Sequence, residues 1–200
     1  MRVPAAWMCG AALVAGLAGC ARDAGITAAE RTAIETEGGA AAEALMGALQ
    51  ARLVAAMQEG GPAHAVRFCA QEALPVTDAV AADLGDGFEL KRVSVRHRNP
   101  RNAPDAAEAE ALRHFTTARG EAVSPPETWV QRTPTGEYRY YRAVTIVPPC
   151  LTCHGDPETM DPAVRTALEE TYPEDLATGY EAGDFRGLIR VTVPASKVES

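Results

Sequence analysis

Positive charge is in short supply. The 200-residue chain carries 19 Lys and Arg against 27 Asp and Glu, for a net charge of −8, which argues against nucleic-acid binding. Long hydrophobic runs are missing too: the apolar stretch fit to enter a membrane, Val3 to Leu17, is too short to span one. Gly and Pro are scattered without a period, which excludes collagen-like and repeat architectures. Disorder of the whole chain is excluded by what is present. Hydrophobic residues make up 46% and charged residues 23%, ordinary values for a folded soluble protein. The length suits one domain with decorations.

The short apolar run reads as an address. Arg2 precedes it, Pro4 interrupts it, and it ends in Leu17-Ala18-Gly19-Cys20. A basic start, an apolar core and small residues at the end describe a secretory signal. The last four residues resemble the bacterial lipobox, in which the cysteine is lipidated and becomes the first residue of the mature protein. Residues 1–19 are then the signal peptide, Cys20 the lipidation site and residues 20–26 a tether. Ala21 in place of Asp implies the outer membrane. The protein is expected on the periplasmic side, held to the membrane by its lipid, where oxidising conditions permit disulfides.

Cysteine is scarce and its five positions divide cleanly. Cys9 leaves with the signal and Cys20 takes lipid. Cys150 and Cys153 lie in Pro149-Cys150-Leu151-Thr152-Cys153-His154-Gly155, leaving Cys69. The C-x-x-C-H pattern is that of c-type haem attachment. Two thiols at this spacing reach the two haem vinyl groups, and the following histidine supplies the proximal imidazole. Competing readings are a redox dithiol, a local disulfide, and a Cys3His zinc site built from Cys69, Cys150, Cys153 and His154. The adjacency of Cys153 and His154 is awkward for one small ion, and no β-α-β pattern surrounds the motif as a thioredoxin-like dithiol would have.

Along the chain, Thr27 to Glu59 is Ala-rich and helical by propensity, with Gly38-Gly39 as a break or bend and Leu45, Leu49, Leu53, Ala56 and Met57 on one apolar face. Gly60-Gly61 ends this helix and Pro62 starts another, to about Leu84, with a kink at Pro75. On it Val66, Cys69, Ala73, Val76 and Val80 form an apolar stripe, so Cys69 points inward. Phe88 to Val95 reads as a strand with a bulge. Asp105 and Glu108 make a capping box for a helix to about Arg119. Glu127 to Arg132 and Glu137 to Val147 form a hairpin around Pro134-Thr135-Gly136. Asp161-Pro162 starts a helix to about Tyr172, and Arg186 to Val193 is the last strand. The order reads as α+β.

Several of these segments together resemble the Tll-like c-type haem domain family, long catalogued as of unknown function. They are Arg67-Phe68-Cys69, the run from Val93 through Arg98-Asn99-Pro100-Arg101-Asn102-Ala103-Pro104 to Asp105, the Cys150–Gly155 site, and Tyr172-Pro173 through Thr178-Gly179-Tyr180 to Gly183-Asp184-Phe185-Arg186-Gly187. The resemblance implies a PAS-like fold, an antiparallel sheet flanked by helices, here with a long N-terminal helical segment and a single domain over 27–200. It also implies one haem c with His154 and Cys69 as axial ligands. Members occur alone or as extracytoplasmic sensor modules; this chain departs in having a lipobox and no kinase.

The residues themselves leave Cys69 open between two roles. It is a buried small hydrophobe, or a thiolate that cancels the positive charge of ferric haem in a low-dielectric pocket. Met57, Met160, His64, His97 and His114 are rival ligands. Arg96, Arg98 and Arg101 are candidates for propionate contacts, since Arg binds carboxylates in a bidentate way. Lys91 and Arg92 read as a solvated strand edge, and Tyr138 and Tyr140 share a strand face that could wall a pocket.

The expected function is that of an exported monohaem c-type cytochrome in electron transfer or redox sensing, with an unidentified redox or signalling protein as partner. The alternative is a haem-based gas or redox sensor acting through a partner protein. A haem enzyme is disfavoured, because no acid–base constellation accompanies the motif.

Overall fold

The computed structural model describes residues 25–120 and 126–199; the leader and Cys20 lie outside them. Helix α1 spans Ala28–Leu84, followed by strand β1 (Glu89–Val93), helix α2 (Ala106–Gly120) and strands β2 (Thr128–Arg132) and β3 (Tyr138–Thr145). The short helix α3 (Leu151–His154), helix α4 (Pro162–Thr171), strand β4 (Phe185–Val193) and helix α5 (Ala195–Val198) complete the order. The strands form one antiparallel sheet in the order β1-β4-β3-β2. The α+β reading is therefore right, and the strand and helix limits differ from expectation by one to three residues at most ends.

Both faces of the sheet are covered, which is why β3 is buried along its first four residues rather than alternating. On one face Ile34, Ala41, Ala42 and Leu45 of α1 pack on Tyr138, Tyr140, Ile189 and Val191. On the other, Ala111, Leu112 and Phe115 of α2 pack on Val93, Tyr141 and Leu188. Tyr138 and Tyr140 thus belong to the core under α1. The Tyr138 hydroxyl oxygen lies 2.7 Å from a Glu30 carboxylate oxygen and 3.0 Å from one of Glu199, so its single proton is shared between two acceptors. Glu30 is also one half of a capping box with Thr27 that starts α1.

Gly38-Gly39 does not break α1. Gly38 is where the helix meets the sheet: a Cβ there would lie 2.4 Å from the Tyr140 Cβ. Glycine is needed for close approach and its helix-breaking tendency is overridden by packing. Gly38→Ala is expected to cost about 1–3 kcal/mol through overpacking, read as a lower melting temperature. Gly47→Ala, whose Cβ would meet nothing within 4 Å, should stabilise by about 0.5–1 kcal/mol.

The interruption in α1 comes at Gly61, with φ 74°. Helical backbone resumes at once with Pro62, and no residue around Pro75 leaves helical angles. The N-terminal stretch lies on the sheet; the stretch after Gly61 packs on α4 through Val66, Val164, Ala167 and Leu168. By length and apolar composition α1 could also cross a membrane, an addition to the single run read from the sequence. Alanine raises its hydropathy, while Ile34 and Leu45 are fully buried under the sheet.

β1 is shorter than expected. Val95 is 65% exposed, and the chain turns away at Ser94, whose N–H donates to the Asn102 carbonyl (3.2 Å). The expected bulge in β1 is not present, as its register with β4 is regular; the register shift lies at Val144/Thr145 of β3.

Candidate functional site

Pro148 and Pro149 cannot donate to a ladder, so β3 ends before them. Their fixed φ starts a 3-10 turn at Pro148–Cys150 that runs straight into α3. This compact coil carries the whole C-x-x-C-H motif. Gly155 closes it, because a Cβ there would stand 2.6 Å from the Leu151 carbonyl oxygen. The two thiols are free and half-buried. Cys150 packs beside Ile146, Ala177 and Tyr180, whereas Cys153 packs beside Val66, Met160 and Val164.

His154 is fixed from behind. Its Nδ1 lies 2.6 Å from the Ala177 carbonyl oxygen. A carbonyl only accepts, so Nδ1 holds the proton and the Nε2 lone pair is free, the arrangement of a metal-binding imidazole. Burial, reinforced by the Arg98 and Arg186 charges, holds its pKa at about 3, so the ring is neutral at physiological pH. Tyr180 stands edge-on to it at 6.2 Å.

The loop bearing Ala177 is heavily pinned. Arg98 pairs with Asp175 (2.9 Å) and donates to the carbonyls of Cys153 and Ala177. Asp175 also accepts from the Ala177 N–H (2.8 Å). Arg96 donates to the carbonyls of Leu176, Thr178 and Gly179, and its guanidinium lies 3.9 Å from the Tyr180 ring centroid. Backbone bonds from Gly179 to Gly155 (2.7 Å) and from Tyr180 to His154 (2.9 Å) tie loop to motif. Arg96 and Arg98 therefore direct donors at the loop that orients His154. The Arg101 side chain is exposed.

Cys69 comes to the same place. Burial pushes its thiol pKa up, while Arg92 and Arg98 pull it down. The Cys153 thiol is raised by burial first, then further by Cys69 and Cys150, with Arg98 opposing. Cys69 thus lies within electrostatic reach of Cys153, and both thiols are part-buried. Arg92 and Tyr172 lie within the same reach of Cys69, the Arg92 guanidinium losing affinity for its proton through burial while Tyr172 and Cys69 offset that loss.

The solvated-edge reading of Lys91 and Arg92 is corrected. Lys91 donates to the fully buried Glu108 (2.7 Å) and to the Ala103 carbonyl (2.8 Å), and Arg92 faces the Cys69 neighbourhood. Sequence reasoning missed Arg92, Tyr172 and Asp175. The one available signal was a cation in a short strand with no acidic neighbour in sequence. The zinc reading also loses its geometry. Among the described residues no group of three or more His, Cys, Asp or Glu side chains stands close enough to hold a metal ion. Cys150 and Cys153 face different apolar clusters, which a single tetrahedral ion would have to unite.

Of the rival ligands, Met160 packs beside Cys153 in the α1–α4 core. His64 faces Glu59 at 3.7 Å and His114 stacks on Trp129 at 4.7 Å. His97 has a buried Nδ1 without a partner, while Met57 is half-buried on α1 before Gly61.

The sequence pattern of the Tll0287-like family matches residues 26–194. The chain belongs to that family. It is similar to the crystal structure of the cyanobacterial haem protein Tll0287, at 25% identity and a TM-score of 0.56, over 84% of this chain and 96% of that one. No curated protein matches. In this Tll0287-like chain the family match takes in every described element except α5, so α1, the motif and the pinned loop all fall inside it.

Proposed function

We propose that the chain is an exported, lipid-anchored monohaem c-type cytochrome, with Cys150 and Cys153 as attachment points and His154 and Cys69 as axial ligands. It works in electron transfer or redox sensing. The observation that carries this reading is the arrangement at α3: an imidazole with Nδ1 donating to Ala177 and Nε2 free, two thiols at attachment spacing, and a third part-buried thiol within electrostatic reach of Cys153. The related Tll0287 is described as a haem protein, which supports the cofactor. Export and anchoring rest on residues 1–20.

The residues present fit such a group. The haem would supply a one-electron couple. His154 would bind through Nε2, oriented by Ala177 and the loop that Arg96 and Arg98 pin. Cys69 would bring an anion into an apolar site, where charge is costly unless cancelled. A thiolate interacts more strongly with ferric than with ferrous iron, so Cys69 would hold the potential low. Arg92, within electrostatic reach of that sulfur, would temper the effect.

The test is the absorption spectrum of a soluble Cys20→Ser form from a host that matures c-type cytochromes, oxidised, reduced and then exposed to carbon monoxide. A covalent c-type spectrum with thiolate character in the ferric state is expected. Cys69→Ala should abolish that character and raise the potential by on the order of 0.1 V or more, within the ~0.8 V that axial ligands span. A wild-type potential as high as that of a His/Met cytochrome would refute Cys69 ligation.

One observation favours the sensor alternative. The segment carrying Cys69 begins directly after the backbone break at Gly61, so it can shift without bending the part of α1 that lies on the sheet. Fast carbon monoxide binding by the reduced protein would point to a ligand that leaves, and hence to sensing through a partner protein.

A further inference from the structure

A groove of about 360 Å³ lies between the C-terminal part of α1, strand β1 and the 3-10 turn at Pro100–Asn102. Its volume is that of a small-molecule site. One part of its lining is apolar, from Leu74, Ala81, Phe88 and Leu90. The charged groups around it are Lys91, Arg92, Arg101 and Arg190 against Asp78 and Glu89.

Internal pairing removes most of these from consideration. Lys91 binds Glu108 at 2.7 Å, and Arg190 binds Glu108 at 3.2 Å and Glu89 at 3.1 Å. The fully buried Glu108 thus holds two of the cations, and Glu89 shares one. Arg92 and Arg101 remain. Among the described residues no hydrogen bond or ion pair engages either guanidinium. Arg92 is desolvated as well, a state that is unfavourable for a cation without a counter-charge. The remaining acid, Asp78, is exposed at the rim and pairs with neither.

We infer that this groove binds a carboxylate attached to a short apolar body. Arg92 and Arg101 receive the carboxylate, since planar guanidinium groups match its two oxygens. Leu74, Phe88 and Leu90 receive the apolar part. The charge count sets the valence: two free cations against one rim acid suit a single carboxylate better than a dianion. The carboxylate has two sources. It is a free metabolite-sized acid, or a propionate of the haem proposed above. The site's chemistry is the same for both; only the second source rests on the haem reading.

The experiment is isothermal titration of detergent-solubilised full-length protein with sodium benzoate, with sodium chloride as the control for general anion binding. A free acid as the natural occupant gives benzoate binding in the wild type. Arg92→Gln and Arg101→Gln should each then weaken it about tenfold, the loss of one charge-assisted contact. Asp78→Asn should tighten it, a result that loss of folding cannot imitate. A propionate as the occupant gives no binding to the haem-loaded wild type, but binding to the haem-free Cys150→Ser/Cys153→Ser form with the same dependence on both arginines. The site is overturned if neither form binds benzoate, or if binding ignores Arg92 and Arg101. Protein that matures without haem refutes the cytochrome reading alone, because the haem-free titration stands independently of it.

Discussion

The Cys150→Ser/Cys153→Ser form, exported beside the wild type from a host that matures c-type cytochromes, is expected to show no haem on a denaturing gel, where the wild type stains fully. The effect is all-or-none because a thioether survives denaturation and a coordination bond does not. Each single variant should keep one linkage and stain at an intermediate level. The geometry gives the reason for expecting both bonds. The turn at Pro148–Cys150 runs into α3 without a gap, so the two sulfurs are separated by one turn of a continuous coil and packed against different apolar clusters. A planar macrocycle attached at two edges needs such a pair. Wild-type protein free of covalent haem, from a host whose own cytochromes mature normally, would refute the attachment.

Arg98→Leu is expected to destabilise the haem-free protein by about 3–5 kcal/mol, the penalty for removing one partner of a buried ion pair. Arg98 and Asp175 are 14% and 11% exposed and 2.9 Å apart. With the guanidinium gone, Asp175 keeps a charge whose remaining hydrogen bond comes from the Ala177 N–H, and the carbonyls of Cys153 and Ala177 lose a donor. Asp175→Leu should cost a comparable amount. The double variant should cost clearly less than the two losses combined, because no unpaired charge remains. Urea unfolding of the four forms measures this. A single-variant loss below 0.5 kcal/mol would mean that the pair behaves like an exposed one.

Periodicity made the helices legible. Val66, Cys69 and Ala73 fall on one stripe, and that stripe does face inward. The capping box at Asp105 and Glu108 is present, with the two N–H bonds at 2.7 and 2.8 Å. Glycine was harder, because one residue type serves opposite ends: Gly61 interrupts α1, whereas Gly38 lets the same helix settle on Tyr140. Local sequence does not separate these cases; the neighbour across the sheet does. Val95 was assigned to a strand on its side chain alone, and the backbone bond from Ser94 to Asn102 overrides that preference.

At the site, the C-x-x-C-H spacing was readable because its chemistry is local. Its supports were not. Arg98 and Asp175 lie 77 positions apart, and His154 and Ala177 lie 23 apart. No pattern in a single sequence links such pairs. Arg92 was misread for a related reason. A charge on a short strand is usually solvated, and here β1 packs beside α1, which leaves Arg92 part-buried.

The place of β4 has a consequence for the order of events in a newly made chain. β4 is the final strand in sequence, yet it sits inside the sheet, bonded to β1 on one side and β3 on the other. Until residues 185–193 arrive, β1 has no strand to pair with, and the loop at 175–180 has no anchored end to press on His154. The cysteines of the motif precede β4 by more than thirty positions. They consequently spend the time of synthesis, and the slow search for distant strand partners, on an open segment. Anything that must be joined to those sulfurs by another protein meets them before the domain shuts, and shutting is left to the chain's last strand.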